Sequence, residues 1–466
     1  MGAHEKEKSS KIESRQRYSE AAGRAVWEPA RRVTVKGEYD VIVCGGGPAG
    51  TACSVRAAEN GARVLLLERQ GALGGTWTQG LMTWLMDVEG KKGFLGRLTE
   101  GVKALGSLYG QRKEDHSFSP EDMKYVMERE VWGAGVEVRY QTLVSQVIME
   151  EDSPQEGCRA EVVGRRKERP LIRGVITQSK SGHEAFLAPV IVDATGDGDV
   201  AALAGCRYEM GKQGNGEVQP MSMIALVGGL RLEEVRSCCL NYENFPGEAQ
   251  RHLGEVFEKH GISLSYAMPV LTHLKGDIYA LSINHEYGIR CDDGKGISGA
   301  VYHARKEITE ALARLARAEK CWSDMVLIYT ADAIGVREGR RIQGEYRIIK
   351  EDMEAGRQFE DGICRVTFNA DIHDTTASVN KSWNNGGIKV QPYQIPLRAL
   401  IAADVTGLVL AGRMISGDFY AHASYRVGGN ILAVGEAAGV LAALASLTHT
   451  APQDVAYREV QDRLFG

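Results

Sequence analysis

His422 and Arg426 lie four residues apart, directly ahead of Gly428-Gly429-Asn430 and a long apolar run. An imidazole titrates near neutrality and can take or give a proton, while a guanidinium stays charged at every working pH. Such a pair suits a reaction in which a proton moves while an anion is held. Arg426 is therefore read as the substrate contact and His422 as an acid–base group. His373, between Asp371 and Asp374, is a further acid–base candidate. Arg337, Arg340 and Arg341 form a dense basic run, read either as a solvated helix face or as holding one active-site cation. His285 and His303 stand alone and are read as structural or surface residues.

A second constellation lies near the other end. Gly45-Gly46-Gly47-Pro48-Ala49-Gly50 fits G-x-G-x-x-G and follows the apolar run Tyr39–Cys44. Gly45 permits a tight turn, Gly47 lets the backbone approach a pyrophosphate, and Gly50 lets a helix pack closely on the strand. Pro48 and Ala49 open that helix, whose free N–H groups attract phosphate. Arg63–Glu68 is the next buried strand, and Glu68, 18 residues past Gly50, is placed to bond a ribose hydroxyl. Gly294-Lys295-Gly296-Ile297-Ser298-Gly299 meets the same pattern, but it follows a polar stretch and no strand-terminal acid comes after it. It reads as a loop leading into a helix over 301–319, which makes a second nucleotide site of this kind unexpected.

The elements that position these groups follow from periodicity and punctuation. Strand, glycine turn, helix and strand within about thirty residues form a βαβ unit. A long loop over 76–117 holds a helix near 93–106, and Ser119-Pro120-Glu121 opens another that runs to about Trp132. Strands are expected at 136–140, 143–149, 171–177 and 189–193, with 150–157 as a hairpin loop. Residues 408–413 read as a buried strand and 430–447 as a helix apolar nearly all round.

Composition narrows the chemistry. The chain has 466 residues and a net charge of −5, which argues against a general nucleic-acid or anionic-membrane binder. Its 55 glycines are about 12% of the chain against roughly 7% in average usage, without a collagen period. Nine cysteines include no C-x-x-C pair, so reduced thiols, a cytoplasmic location, no metal and an organic electron carrier are expected. The charged first twenty residues carry no apolar leader core, and the longest apolar candidate, 431–447, is interrupted by Gly435, Glu436 and Gly439.

Past Glu68 the chain reads Arg69-Gln70-Gly71-Ala72-Leu73-Gly74-Gly75-Thr76, which resembles the ExxxxLGG loop of a large flavoprotein group. Ile191–Asp199 is similar to that group's DATGDGD element. Leu410–Ser416 and His422–Asn430 resemble the AGRxIS and RxxG signatures of FAD-dependent oxidoreductases, including the heterodisulfide reductase flavoprotein subunit. H-x-x-x-R-x-G-G-N also resembles the flavin and substrate segment of fumarate reductases and succinate dehydrogenases, and the likeness covers most of 38–447.

The resemblance implies a Rossmann-like α/β FAD-binding domain built from both chain ends (37–205 and 390–466). An α+β substrate or cap domain is inserted at 206–389, and a polar arm occupies 1–36. It further implies that Gly45, Gly47, Pro48, Ala49, Gly50, Glu68, Arg69, Gly75, Thr76, Val144, Ala194, Gly196, Gly412, Arg413, Gly429 and Asn430 hold FAD. No histidine lies between Gly75 and Met86, where covalent flavin attaches in some relatives, so the FAD is expected to be non-covalent. Met414 replaces a frequent cysteine, and the four-cysteine cluster of the heterodisulfide subunit is missing.

Three functions stay open. The first is hydride transfer between flavin N5 and a small organic acid or sugar-like ring, with Trp383–Gly387 and Tyr393 available for stacking and amide contacts. The second is a flavin monooxygenase, for which Gly417-Asp418 and His422 are present but the expected proline is not. The third is a non-catalytic flavin-binding subunit. The expected partners are a small-molecule substrate and an electron donor or acceptor of unknown identity, with no nucleic acid and no membrane. Assembly into a homo-oligomer is left open.

Overall fold

The computed structural model describes residues 30–107, 116–150, 169–378 and 381–466. Most of the expected polar arm and of the 150–157 hairpin loop lies outside the described residues. The chain divides into a unit Met1–Thr34, of which only the exposed last residues are described, and a unit Val35–Gly466, which carries everything below.

Five short runs of β-branched and leucine residues make the central parallel sheet, in the order Leu408–Leu410, Val190–Asp193, Val41–Cys44, Val64–Leu67, Glu137–Arg139. Four of the five are wholly buried, as a sheet covered on both faces requires. The register aligns Cys44 with Leu67 and Asp193, Asp193 with Leu410, and Leu67 with Arg139. All five strands therefore end at one edge, and Gly45, Glu68, Ala194 and Ala411 leave from it. In open α/β sheets that carboxyl edge is where ligands bind.

The Pro48–Glu59 helix follows the first of these turns, and the last long helix, Gly428–Leu447, packs across it. The contact is glycine-made. A methyl on Gly435 would stand 2.3 Å from the Ala49 carbonyl oxygen, and one on Gly439 2.3 Å from that of Cys53. By length and composition Gly428–Leu447 is apolar enough to cross a membrane, the three interrupting residues notwithstanding. Yet 83% of its most apolar window is buried inside the protein.

A separate core forms under an antiparallel sheet ordered Val270–Lys275, Ile278–Ser282, Ile224–Gly228, Val326–Thr330. Helices Glu248–Lys259 and Gly294–Ala318 supply Leu253, Phe257, Ile308 and Leu315 to it. Its buried side chains fall between Met223 and Ala331, apart from Leu81. From Ile342 onward the buried side chains belong to the first core, so the second core is narrower than the 206–389 span.

Two local expectations are corrected. Gly294–Gly299 is not a loop: it forms the first turns of the Gly294–Ala318 helix, because the Asp293 carboxylate caps it by accepting from the Gly296 amide at 2.9 Å. Arg337, Arg340 and Arg341 lie on no helix; Arg341–Ile342 is a short strand paired with Tyr208–Glu209, and Arg341 is buried. A strand that the sequence reading omitted, Gly182–Leu187, pairs with Leu171–Ser179.

Candidate functional site

Gly45 holds a left-handed φ of +106°, and a methyl there would collide with the Ala194 carbonyl 2.5 Å away. Gly50 lies against the Gly45 carbonyl, whereas no described residue stands within 4 Å of a methyl placed on Gly47. The turn is thus closed on the protein side and open where a phosphate would lie, at the start of the Pro48 helix. Ala49, buried, is the residue on which Gly435 rests.

Glu68, buried at its strand end, accepts from the Gly46 amide and the Gln70 amide, both at 2.6 Å. Burial pushes its carboxyl above the usual range although both bonds and Arg69 pull the other way. Arg69 itself is exposed. The following loop folds back over the glycine turn. The Gly74 amide donates to the Gly46 carbonyl at 2.8 Å, and a methyl on Gly75 would be 3.1 Å from the Gly47 Cα. Gly75 and Thr76 open a short 3₁₀ turn there. Val144, half-buried, sits opposite Thr177 on the Leu143–Glu150 strand, just after Thr142, whose amide donates to the Glu68 carbonyl.

At the same edge the Ala194 amide donates to the Cys44 carbonyl. The Asp193 carboxylate accepts from Thr195 N, Thr195 Oγ1 and Ala201 N, so it braces the turn rather than facing a ligand. Burial pushes its carboxyl up to about 6. Arg413 donates to Asp197 at 2.6 Å and lies against Gly196, and Gly412 turns with φ +115° beside Ala49. The Gly429 amide is taken by the Met86 carbonyl at 3.0 Å. Asn430 is buried: its Oδ1 meets the Cys364 thiol at 3.6 Å and its Nδ2 has no partner among the described residues.

Arg426 ends the Phe419–Tyr425 helix and is a hub. Nη1 donates to the Arg337 carbonyl at 2.9 Å; Nη2 donates to the Asp371 carbonyl at 2.7 Å and to Gln219 Oε1 at 3.1 Å. Arg337 donates to the Pro220 carbonyl and to Ser222 Oγ, both at 2.8 Å. Burial, with the charge of Arg426 also opposing it, pulls its guanidinium down to about 10. His373 has Nε2 3.4 Å from Asp371 Oδ2 and Nδ1 3.2 Å from His285 Nε2. Burial, then the charge of Arg337, draws its imidazole down to about 4. Burial alone would raise Asp371, but His373, Arg426 and Arg337 hold it below the usual carboxylate range. His285 stacks on Tyr266 at 4.0 Å between ring centroids.

His422 lies apart from this cluster. It is fully buried, edge-on to Tyr425, and neither ring nitrogen has a partner among the described residues. Burial, then Arg426, Arg341 and Arg413, keep it neutral.

These features fit a dinucleotide cofactor. The Gly47 backbone is open at a helix start on the carboxyl edge of the sheet, and buried Asn430 and His422 have polar atoms without a partner among the described residues. The model of the FAD dependent oxidoreductase family matches residues 40–464. The chain belongs to the FAD-dependent oxidoreductase family.

FAD is therefore its cofactor. Among solved structures the chain is similar to a geranylgeranyl bacteriochlorophyll reductase-like protein from Thermoplasma acidophilum (12% identity, TM-score 0.47, covering 92% of this chain and 82% of that one). It is also similar to p-nitrophenol 4-monooxygenase from Pseudomonas putida (11%, 0.47, 92% and 84%). A third is the anhydrotetracycline hydroxylase from Streptomyces rimosus (13%, 0.46, 92% and 65%).

Within this FAD-dependent oxidoreductase the structure joins Arg426 to His373 through Asp371 but leaves His422 outside that network. Tyr393 is fully buried with its hydroxyl on Ser424; Trp383 is exposed, paired in register with His373. Asp418 caps the Phe419–Tyr425 helix through the Ala421 amide and also accepts from the Lys350 amide. His285, Tyr266 and Gln219 were missed as site residues. Each stands singly in sequence, with no spacing to mark it. Arg337 was visible in its basic run, and its buried partners single it out.

Proposed function

We propose that this FAD-dependent enzyme moves a hydride between non-covalently bound FAD and a small polar substrate, an organic acid or a sugar-like ring. FAD supplies the two-electron carrier at its N5. The reading is carried by one observation: Arg337, Arg426, Asp371 and His373 are linked in one partly desolvated cluster with more cation than anion. Such a cluster attracts a carboxylate or a developing alkoxide. His373, held neutral, accepts the proton of a substrate hydroxyl as the carbon–hydrogen bond breaks, and Asp371 balances the imidazolium that results. Arg426, bonded through both terminal nitrogens to main-chain and side-chain acceptors, holds Arg337 and Asp371 in place, which makes Arg337 the better candidate for the direct anion contact. His422 is a candidate for cofactor contact.

The test is anaerobic bleaching of the protein-bound flavin across acids and sugars. A bleaching compound supports the reading; indifference of the flavin to every such compound removes it.

The second reading is a flavin monooxygenase; of the similar structures one is named a monooxygenase and another a hydroxylase. Its motif support weakens once Asp418 is seen capping a helix. Rapid NAD(P)H consumption coupled to oxygen uptake would favour it. Under either reading the net charge of −5 and the absence of C-x-x-C pairs support a cytoplasmic protein acting on small molecules.

A further inference from the structure

We propose that the substrate is a carboxylate-bearing acid, held by the Nε/Nη2 edge of Arg337 and by a hydrogen bond from the Tyr266 hydroxyl. The inference rests on the reading of Arg337 as the direct anion contact, and it asks nothing of His373 as a base. Of the five N–H groups of a guanidinium, Arg337 uses those on Nη1 for the Pro220 carbonyl and Ser222 Oγ, both at 2.8 Å. Its Nε and Nη2 have no partner among the described residues, and neither nitrogen is sealed off from solvent. Together they form the side of the fork that gives two parallel N–H bonds, the shape that matches a carboxylate.

Tyr266 is the neighbour that completes such a site. It is 4% exposed and belongs to none of the apolar cores, and its hydroxyl has no hydrogen-bond partner among the described residues. A buried tyrosine hydroxyl ordinarily finds one. The ring is held by two imidazoles, stacked on His285 at 4.0 Å and tilted against His373 at 5.8 Å between centroids. Burial pushes the phenol above its usual range, and Arg337 is the strongest influence opposing that rise. Tyr266 in turn is the strongest influence opposing the fall of Arg337. Charge effects fade with distance, so the two groups are close, and the phenol keeps its proton to donate.

The carboxylate already in the cluster does not fill this place. Asp371 is turned toward His373 Nε2 at 3.4 Å and Arg426 Nη2 at 3.5 Å, and among the described residues no hydrogen bond joins it to Arg337 or Tyr266. A sugar-like ring would meet these donors with neutral hydroxyl oxygens. A carboxylate brings two ionised oxygens to a fork and a phenol at once, and bonds to an ionised acceptor are roughly twice as strong. Of the two kinds of substrate in the proposed reaction, the organic acid is the one these donors select.

The experiment uses FAD-loaded protein labelled with ¹³Cζ-tyrosine, with Tyr266 assigned by the signal lost in Tyr266→Phe. Acetate and oxalate are the probes, acetamide is the neutral control, and calorimetry gives each dissociation constant. At least one of the two anions should bind and move the Tyr266 Cζ signal along the same isotherm, and acetamide should not. Tyr266→Phe, which keeps a ring to stack on His285, should weaken that anion roughly tenfold or more. Arg337→Lys, which keeps the charge and loses the fork, should weaken it as well. A Tyr266 signal unmoved by bound anion, or an unchanged affinity in Tyr266→Phe, overturns the proposal while leaving Arg337 as the anion contact if Arg337→Lys binds weakly. Wild-type affinity in Arg337→Lys, or wild-type protein that binds neither anion, overturns that underlying reading and the proposal with it.

Discussion

The Arg426 guanidinium is bonded to the main-chain oxygen of Arg337 at 2.9 Å, so one cation of the cluster is placed by the other. The same fork holds the Asp371 carbonyl and Gln219. A lysine ammonium is a point charge on a flexible stem and cannot reproduce this planar bracket. Arg426→Lys should therefore cut kcat by about 100-fold while FAD stays bound, an effect of the size that misplacement produces. Arg426→Ala leaves Asp371 without its guanidinium partner and should lower unfolding free energy by about 3 kcal/mol, read by denaturant titration at unchanged m.

The pH dependence follows from His373. Its imidazole is drawn from 6.5 to about 4, so its neutral form persists well into acid. The acid limb of kcat/KM should fall near 4 rather than near 6.5. Arg337→Met removes the second cause of that depression, after burial, and should move the limb upward while leaving it below 6.5. Asp371→Asn, which removes an anion that raises His373, should move it down. Stability has a matching sign: a depressed histidine contributes stability present above 6.5 and lost as pH falls through about 4. A limb at the ordinary histidine value would contradict this placement.

The two ends of the chain meet through glycine. Gly435→Ala puts a methyl 2.3 Å from the Ala49 carbonyl oxygen and must push the Gly428 helix off the Pro48 helix. A loss of about 1–3 kcal/mol is expected, with weaker flavin retention on gel filtration. Gly96→Ala, in the Gly93–Ala104 helix with nothing within 4 Å, serves as the control and should gain about 0.4–1 kcal/mol.

Glu68→Gln loses an ionised acceptor that serves the Gly46 and Gln70 amides together. The turn loosens where the nucleotide lies, and the FAD dissociation constant should rise roughly tenfold, about 1.4 kcal/mol. Flavin fluorescence on titration of the stripped protein measures it directly.

Most of the nucleotide end was legible because it is local. Strand, glycine turn, helix and Glu68 follow one another in sequence, and each has its own pattern. The Gly428–Leu447 helix was equally plain from its apolar run. Harder to read were features decided by distant partners. His285, just past the Ile278–Ser282 strand, reaches His373 across 88 residues, a contact that only the folded chain makes. Arg337 and Arg341 look solvated as a run of charges, yet Ser222, the Pro220 carbonyl and Glu338 take their hydrogens in the interior. Gly294–Gly299 misled in the opposite direction: glycine propensity argues for a loop, and one capping carboxylate, Asp293, made it helical.

The proposed hydride transfer from a small polar substrate to the flavin requires His373 to take the substrate's proton. Single-turnover anaerobic bleaching, comparing the wild type with a flavin-replete His373→Gln protein, tests this most directly. It predicts that at least one organic acid or sugar bleaches the wild-type flavin without oxygen or nicotinamide, and that the variant bleaches at least about 100-fold more slowly. Equal rates in the two proteins, or a flavin reduced by NAD(P)H alone with consumption of oxygen, would contradict it.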